Sequence, residues 1–525
     1  MASPINTAVM KLKLRAERST RDHLIQTFVD VDPLLTLLQT EDHQILYGRR
    51  GTGKTHALEY LASDRDDAGD LPLYLDMRLI GSSGGLYSDP NIPLAERATR
   101  LLVDTLQAVH EQMLNTVVEQ DDVFDGSIVF PLLDNYLEAA SQVVVSGVVT
   151  SESGAQGKST RTKGAALTAG IKKIPEAQLS LNIGDALEEQ VNYKRTQTGG
   201  GKHRVHFGTL NRCLLSLCKS LQGKRVWGLL DEWSEIPLDL QPFLADLIRR
   251  SLMTVPLITV KIGAIEQRTN FRVADGATSY IGVEVGADMT ANTNLDDFMV
   301  FDNDQAKASE FFENLIYKHL KSELPEGYLD STKPSQDLLR RMFTQSSNTF
   351  GEFVRAAEGV PRDAINILIM SAQLALDDPI SIPNIRVAAK RWFQQGKEQA
   401  LRDSKTTALL RWIIDEVIAH RQAKAFLMRS DAKHPIIEML FDARILHIVK
   451  KGVSSNETPG VRYDVYGIDY GCYVDLMNTV KAPKGLFEAS KLEGESGFVD
   501  VPATDYRSIR RAILDIERFE EAQTI

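Results

Sequence analysis

Apolar residues in this chain gather into short unbroken runs set between longer stretches of mixed character. The runs His43–Tyr47, Leu71–Arg78, Val226–Leu230 and Leu257–Ile265 have strand length, and the near-continuous run Leu257–Ile265 has the mark of a strand buried on both faces of a parallel sheet. Thr55–Ala62, Leu94–Val118, Val129–Ala140 and Leu210–Leu221 read as helices, which alternate with the runs and complete an α/β pattern. Further on, Ala306–Leu320, the segment around Arg340–Thr344, Ala364–Leu376 and Ile385–Gln395 all read as helices. The pattern changes after Ser404. A helix over Thr406–His420, a short helix over Ala423–Met428 and a third over His434–Asp442 are expected. "ARILHIVKKGVSSNETPGVRYDVYGIDYG" then alternates apolar and polar residues on both sides of a Gly/Ser/Asn/Pro loop, which predicts a hairpin. Three helices and a hairpin make a winged helix. The tail "DYRSIRRAILDIERFEEAQ" places Ile509, Ala512, Ile513 and Ile516 on one helical face, suited to core packing.

Between the first strand and the first helix lies "LYGRRGTGKTHALEYL", where Gly48, Gly53, Lys54 and Thr55 fit the spacing G-x-x-x-x-G-K-[ST]. Glycines let successive backbone N–H groups converge on phosphate oxygens, and the following helix adds the positive end of its dipole. The loop Gly48, Arg49, Arg50, Gly51, Thr52, Gly53, Lys54, Thr55 and His56 is therefore the candidate nucleotide cradle. Lys54 would reach the β- and γ-phosphates, and Thr55 would ligate Mg²⁺. A phosphate loop calls for a second, acidic strand end. "RVWGLLDEW" offers Asp231 as the metal carboxylate beside Thr55, with Glu232 next to it to deprotonate water. Glu235 is a second candidate base. The run Leu257–Ile265 ends in Glu266, Gln267, Arg268, Thr269 and Asn270, and ligands bind outside the carboxyl ends of such strands. Gln267 and Asn270 are candidates to sense the γ-phosphate.

This order of motifs resembles AAA+ ATPases, specifically the origin-recognition and initiator branch. The phosphate loop, "LLDE" and "KIGAIE" follow in that family's sequence, and "AAEGVPRDAINIL" resembles its second sensor. The resemblance implies an ATP·Mg²⁺ site between an α/β core and a helical lid, with Arg362 reaching the γ-phosphate from the lid. It also implies an arginine finger that completes a neighbour's site in a homo-oligomer. Arg268 and Arg272 are the first candidates, Arg249 and Arg250 the second. The expected division is an ATPase core over 1–300 with an insertion at about 143–206, a lid over 301–400, a winged helix over 401–480 and a helical tail over 481–525. The family carries such a winged helix after its lid. STAND signalling NTPases share this core and remain a competing reading, as does a subunit that uses nucleotide only to stabilise its fold.

Charge adds partners to this picture. The chain of 525 residues carries 71 acids and 60 bases, net −11, which speaks against a generally basic nucleic-acid binder. Local positive charge stands out by contrast. The insertion mixes Val, Ser and Gly, suggests a long hairpin, and carries Lys158, Arg161, Lys163, Lys172 and Lys173, with "YKRTQTGGGKHR" after it. It is either a solvated loop or a contact for double-stranded DNA or a protein partner. On the winged helix, Lys450, Lys451, Arg462, Lys433 and Arg444 favour DNA, whereas Glu438 and Asp442 on the third helix oppose it. Cys213, Cys218 and Cys472 are few and scattered, as in buried thiols of a cytoplasmic protein. No run is long and apolar enough to span a bilayer. No protease, nuclease or transferase constellation stands out, so any effector activity would belong to a separate protein. In style the chain suggests bacterial mobile-element or anti-phage defence systems, by resemblance alone.

Overall fold

A computed structural model describes the chain apart from residues 1–2, 14–19, 81–86, 88, 121–122, 142, 152–194, 204, 276–278, 297–304, 331, 402–403, 421–424, 433, 455–459, 478–512 and 525. The apolar runs become strands. In chain order these are β1 (Gln44–Tyr47), β2 (Leu71–Asp76), a hairpin of β3 (Val143–Ser151) and β4 (Arg195–His203), then β5 (Val226–Asp231) and β6 (Ile258–Ala264). A small hairpin of β7 (Arg272–Asp275) and β8 (Ser279–Gly282) follows, then β9 (Thr290–Asn294). Five of them form one sheet in the order β2-β5-β6-β1-β9, with every neighbouring pair parallel. β5 and β6 are buried at every residue, which is why their sequences run apolar without alternation. β9 escapes the sequence reading because "TANTN" is polar, yet it pairs with β1 as the sheet's edge.

Two apolar clusters cover this sheet. One joins it to the long helices Leu94–Glu119, Gly126–Ala140 and Phe207–Ser220. The other joins the phosphate-loop helix to the helices Gln305–Leu320, Pro334–Met342, Ser346–Ala357, Pro361–Ala375 and Ile382–Trp392. The insertion does start and end as a paired hairpin, β3 against β4 from Val143–His203 to Ser151–Arg195. Its basic residues Lys158, Arg161, Lys163, Lys172 and Lys173 lie outside the described residues, as does Lys433.

A third cluster builds the C-terminal unit, and here two expectations are corrected. Where a helix over Ala423–Met428 is expected, Ala425–Arg429 is strand β10, antiparallel to β12 (Arg462–Ile468), which pairs in turn with β11 (Leu446–Ser454). Ala425 through Met428 are all buried, and an apolar run this short takes its conformation from the hairpin it joins. The unit is thus a helix over Ser404–Ile413 continued to His420, then β10, the helix Pro435–Asp442 and the hairpin. In the tail the described helix is Ile516–Thr524, and residues 513–515 precede it without helical structure. Ile513 is not on its face but bridges Leu427, while Leu514 and Phe519 enter the core. Ile509 and Ala512 lie outside the described residues. Cys218 and Cys472 are buried and Cys213 is partly so. Among the described residues no helix is long and apolar enough to cross a membrane.

Candidate functional site

The phosphate loop leaves β1 at Tyr47 and enters the helix Lys54–Asp67 through Gly53. Gly51 and Gly53 both have positive φ, 86° and 102°, a backbone that L side chains rarely adopt. At Gly51 the space is also closed. A Cβ there would stand 2.7 Å from the Cβ of Arg362, whose backbone N–H donates to the Gly51 carbonyl at 3.2 Å. The loop and the start of the helix Pro361–Ala375 are therefore in direct contact. Gly51→Ala should weaken nucleotide binding by about 10-fold or more in a titration, because the added methyl pushes the two apart and strains φ.

Lys54 is buried and turned onto its own loop, donating to the carbonyls of Gly48 at 2.8 Å and Arg49 at 3.1 Å. Burial pulls its amine below the usual lysine range against the acids Glu232, Asp231 and Asp296. Thr55 Oγ1 donates to Asp231 Oδ2 at 2.6 Å, so residues 176 apart in sequence meet. Asp231, fully buried, also accepts from the Tyr74 hydroxyl at 2.6 Å and from the Glu232 N–H at 2.8 Å.

That meeting crosses a strand. β5 carries Asp231 and β1 leads to Thr55, but β6 lies between them. Gly263 on β6 makes the crossing possible, since a Cβ at that position would lie 2.8 Å from Asp231 Oδ1 and 3.0 Å from Leu58. Gly263 lies within the "KIGAIE" run, but nothing in the sequence tells that its missing side chain matters. Gly263→Ala should displace the carboxylate and lower turnover about 10- to 100-fold, with the fold intact by circular dichroism.

Glu232 follows in left-handed backbone, φ 55° and ψ 37°, a conformation that costs energy outside glycine and concentrates at functional sites. Burial and then the adjacent Asp231 push its carboxyl up, against Lys54 and Arg78. Arg78 was not singled out from the sequence. Its Nη1 lies 4.0 Å from Glu232 Oε1, while its Nη2 holds Asp76 at 2.7 Å. Arg50 pairs with Glu235 at 2.5 Å.

Lys54, Thr55, Arg50, Arg78, Glu232 and Glu235 line a cleft of about 330 Å³ with Gly51, Gly53, His56, Arg362 and the histidines His23 and His319. A smaller apolar pocket continues it between Phe28, Val31, Leu34, Leu295 and Phe311. The glycine cradle, a buried ammonium and a Thr/Asp oxygen pair have the chemistry that could hold a nucleoside triphosphate and Mg²⁺.

The other candidates lie apart from this cleft. Gln267 keeps its amide oxygen buried and without a hydrogen bond, and Asn270 is exposed. Gln241 clamps their loop through the Arg268 carbonyl and the Asn270 N–H. Arg268 is paired with Asp442 of the C-terminal unit, and Arg272 with Glu284 at 3.4 Å while stacking on Tyr280. Arg249 and Arg250 both hold Asp246. Among the cations expected to favour DNA, Arg444 is corrected. It is buried and donates to Asp363 at 3.1 Å, because the turn after the helix Pro435–Asp442 packs against the lid. Lys450 and Arg462 are exposed on the hairpin, and Lys451 pairs with Glu266.

Two histidines, His447 in the interior and His319 partly buried at the cleft, should make the fold acid-sensitive. Burial lowers His319 to about 4, and burial with the Arg49 charge lowers His447 to about 4. Between pH 6.5 and 4 the unfolded chain binds protons at both that the folded chain refuses. Stability therefore falls across that window and is flat above it. Melts at pH 7.5, 6 and 5 should show the decline, and His447→Gln should reduce its slope.

The ORC-CDC6-like family model matches residues 13–65, the segment that contains the phosphate loop. No curated protein matches the chain. Among solved structures, the Aeropyrum pernix ORC1 protein in complex with DNA is similar at 12% identity and a TM-score of 0.30, over 88% of this chain and 93% of that one. Through its phosphate-loop segment, the chain resembles the ORC-CDC6-like AAA+ proteins.

Proposed function

We propose that this protein binds and hydrolyses ATP with Mg²⁺ as an AAA+ switch, and that nucleotide state controls how it assembles and what it contacts. The observation that carries this reading is the 2.6 Å contact between Thr55 Oγ1 and Asp231 Oδ2, made across an intervening strand that keeps a glycine at the crossing point. Thr55 and Asp231 would hold the metal, which when bound neutralises charge on the phosphates. Lys54 would leave the carbonyls of its own loop for phosphate oxygens, and the N–H groups of Gly51 to Thr55 would cradle them. Arg362 would reach the terminal phosphate from the lid side of the cleft. Glu232, with its proton affinity raised, would take the proton of the attacking water. The apolar pocket beyond His56 and His319 has the character to take the base.

Double-stranded DNA is the partner this reading favours, through exposed Lys450 and Arg462 on the hairpin or through the basic insertion. Assembly into a homo-oligomer would bring an arginine to a neighbour's γ-phosphate. A slow, trigger-dependent STAND-like cycle is the alternative, and a separate effector protein fits either. The test is the ATPase rate and mass distribution of wild type and Lys54→Ala, with and without double-stranded DNA. Lys54-dependent turnover that DNA stimulates supports the reading. Equal rates for wild type and Lys54→Ala would reject it.

A further inference from the structure

The phosphate loop, the lid helix and the loop after β6 each send a charged side chain into the C-terminal unit. From the phosphate loop, Arg49 is 2% exposed. Its Nε donates to Asp296 Oδ1 at 2.7 Å, its Nη1 donates to the Leu446 carbonyl at 3.2 Å and meets His447 Nδ1 at 2.6 Å, and its guanidinium lies 5.0 Å from the centre of the Phe441 ring. From the lid helix, Asp363 follows Arg362 and is fully buried between Lys397 at 2.9 Å and Arg444 at 3.1 Å. Lys397 reaches on to Asp469 at 2.5 Å, and His447 Nε2 lies 3.4 Å from the same carboxylate. From the loop after β6, Arg268 pairs with Asp442 and Glu266 with Lys451.

The buried part of this set balances. Arg49, Lys397 and Arg444 face Asp296, Asp363 and Asp469, and burial keeps His447 neutral so that it can accept from Arg49. Arg49 cannot shed its proton, so its charge must be met wherever the loop goes. The backbone of the same residue shapes the loop. Its carbonyl accepts from Lys54 Nζ and from Thr52 Oγ1 at 2.9 Å, and its N–H donates to Asp296 Oδ2 at 2.9 Å. One residue thus links His447, nearly 400 positions away in the chain, to the lysine of the phosphate site.

We propose that the C-terminal unit braces the nucleotide site from behind the residues that line it. Docked, it holds the phosphate loop through Arg49 and the lid arginine through Asp363, so triphosphate affinity depends on docking and docking on triphosphate. The inference rests on the nucleotide reading above. Arg49, Asp363 and His447 are positioning residues, acting through Lys54 and Arg362. Coupling of this kind is reciprocal by linkage: whatever docking adds to nucleotide affinity, nucleotide adds to docking. The docked position also covers the carboxyl end of the helix Pro435–Asp442 with the ATPase core, at Phe441 and Asp442. A ligand that needs that end must compete with docking.

The test uses the full chain and a fluorescent ATP analogue with Mg²⁺. His447→Leu, which removes the acceptor from Arg49, should weaken analogue binding by roughly 5- to 150-fold, the usual span of such coupling, and His447→Gln should recover part of it. Asp442→Arg, which repels Arg268 at the rim, should also weaken binding, and the exchanged pair Arg268→Asp/Asp442→Arg should restore it. The exchange tests the idea even if the His447 variants fail to fold. Hydrogen exchange across Pro435–Asp442 should slow when the analogue binds. If wild type binds no analogue, the nucleotide reading falls and takes this inference with it. If wild type binds, but the folded variants bind within twofold of it and exchange does not change, the inference alone is overturned.

Discussion

Glu232→Gln is expected to lower ATP turnover by about 10²- to 10³-fold while ATP stays bound, read by rapid-quench hydrolysis alongside a binding titration. A positioned general base contributes about 10²- to 10⁴-fold, and Gln keeps the shape without accepting a proton. Two features place Glu232 ahead of Glu235. It follows Asp231 directly in a left-handed turn that lifts it from the strand end into the cleft, and burial with the Asp231 charge raises its carboxyl toward the working pH. Glu235 also lines the cleft but is held by Arg50. Glu235→Gln should therefore cost far less. The direction of the shift at Glu232 sets the pH profile: turnover should fall on acidification at a higher pH than an ordinary carboxylate would give. If Glu232→Gln turned over at the wild-type rate, the base would have to be sought elsewhere.

The parts of this site legible in the sequence were those with local signatures. The glycine spacing around Lys54 and the unbroken apolar run before Asp231 each follow from a backbone requirement, and the structure brings Thr55 and Asp231 into contact. Arg362 likewise lines the cleft, at the start of its helix. What stayed hidden depends on which strands become neighbours. Gly263 matters only because β6 falls between β5 and β1, and a lone glycine in a strand announces nothing. Arg78 matters only because β2 ends beside β5, in register from Leu71–Val226 to Asp76–Asp231. β10 read as a helix because four buried residues have no period of their own, and the hairpin they join lies further along the chain. Arg49 reads as a variable position in the loop motif, yet it is among the largest fully buried side chains because the C-terminal unit closes over it.

Lys397→Met should be the most destabilising of these substitutions, by about 3–5 kcal/mol, the cost of removing one partner from a buried ion pair. Lys397 is 1% exposed and stands between two carboxylates, Asp363 and Asp469, both also buried. Burial alone would raise the Asp363 carboxyl, but Lys397 and Arg444 hold it well below the usual carboxylate range. Without Lys397, Arg444 is the cation left beside Asp363, and Asp469 keeps a neutral histidine and the N–H of Gly471 at 3.0 Å. Protonation of Asp469 is then the cheapest escape, so the variant should regain part of its stability as pH falls toward 5. Wild type does the opposite, because His319 and His447 resist protonation over the same range. Calorimetric melts at pH 7.5 and 5 separate the two cases. The variant's deficit should narrow at the lower pH, whereas an equal deficit at both would mean that Lys397 contributes packing and not charge. Lys397→Met/Asp469→Asn, which removes the stranded carboxylate as well, should recover more than either change alone would predict.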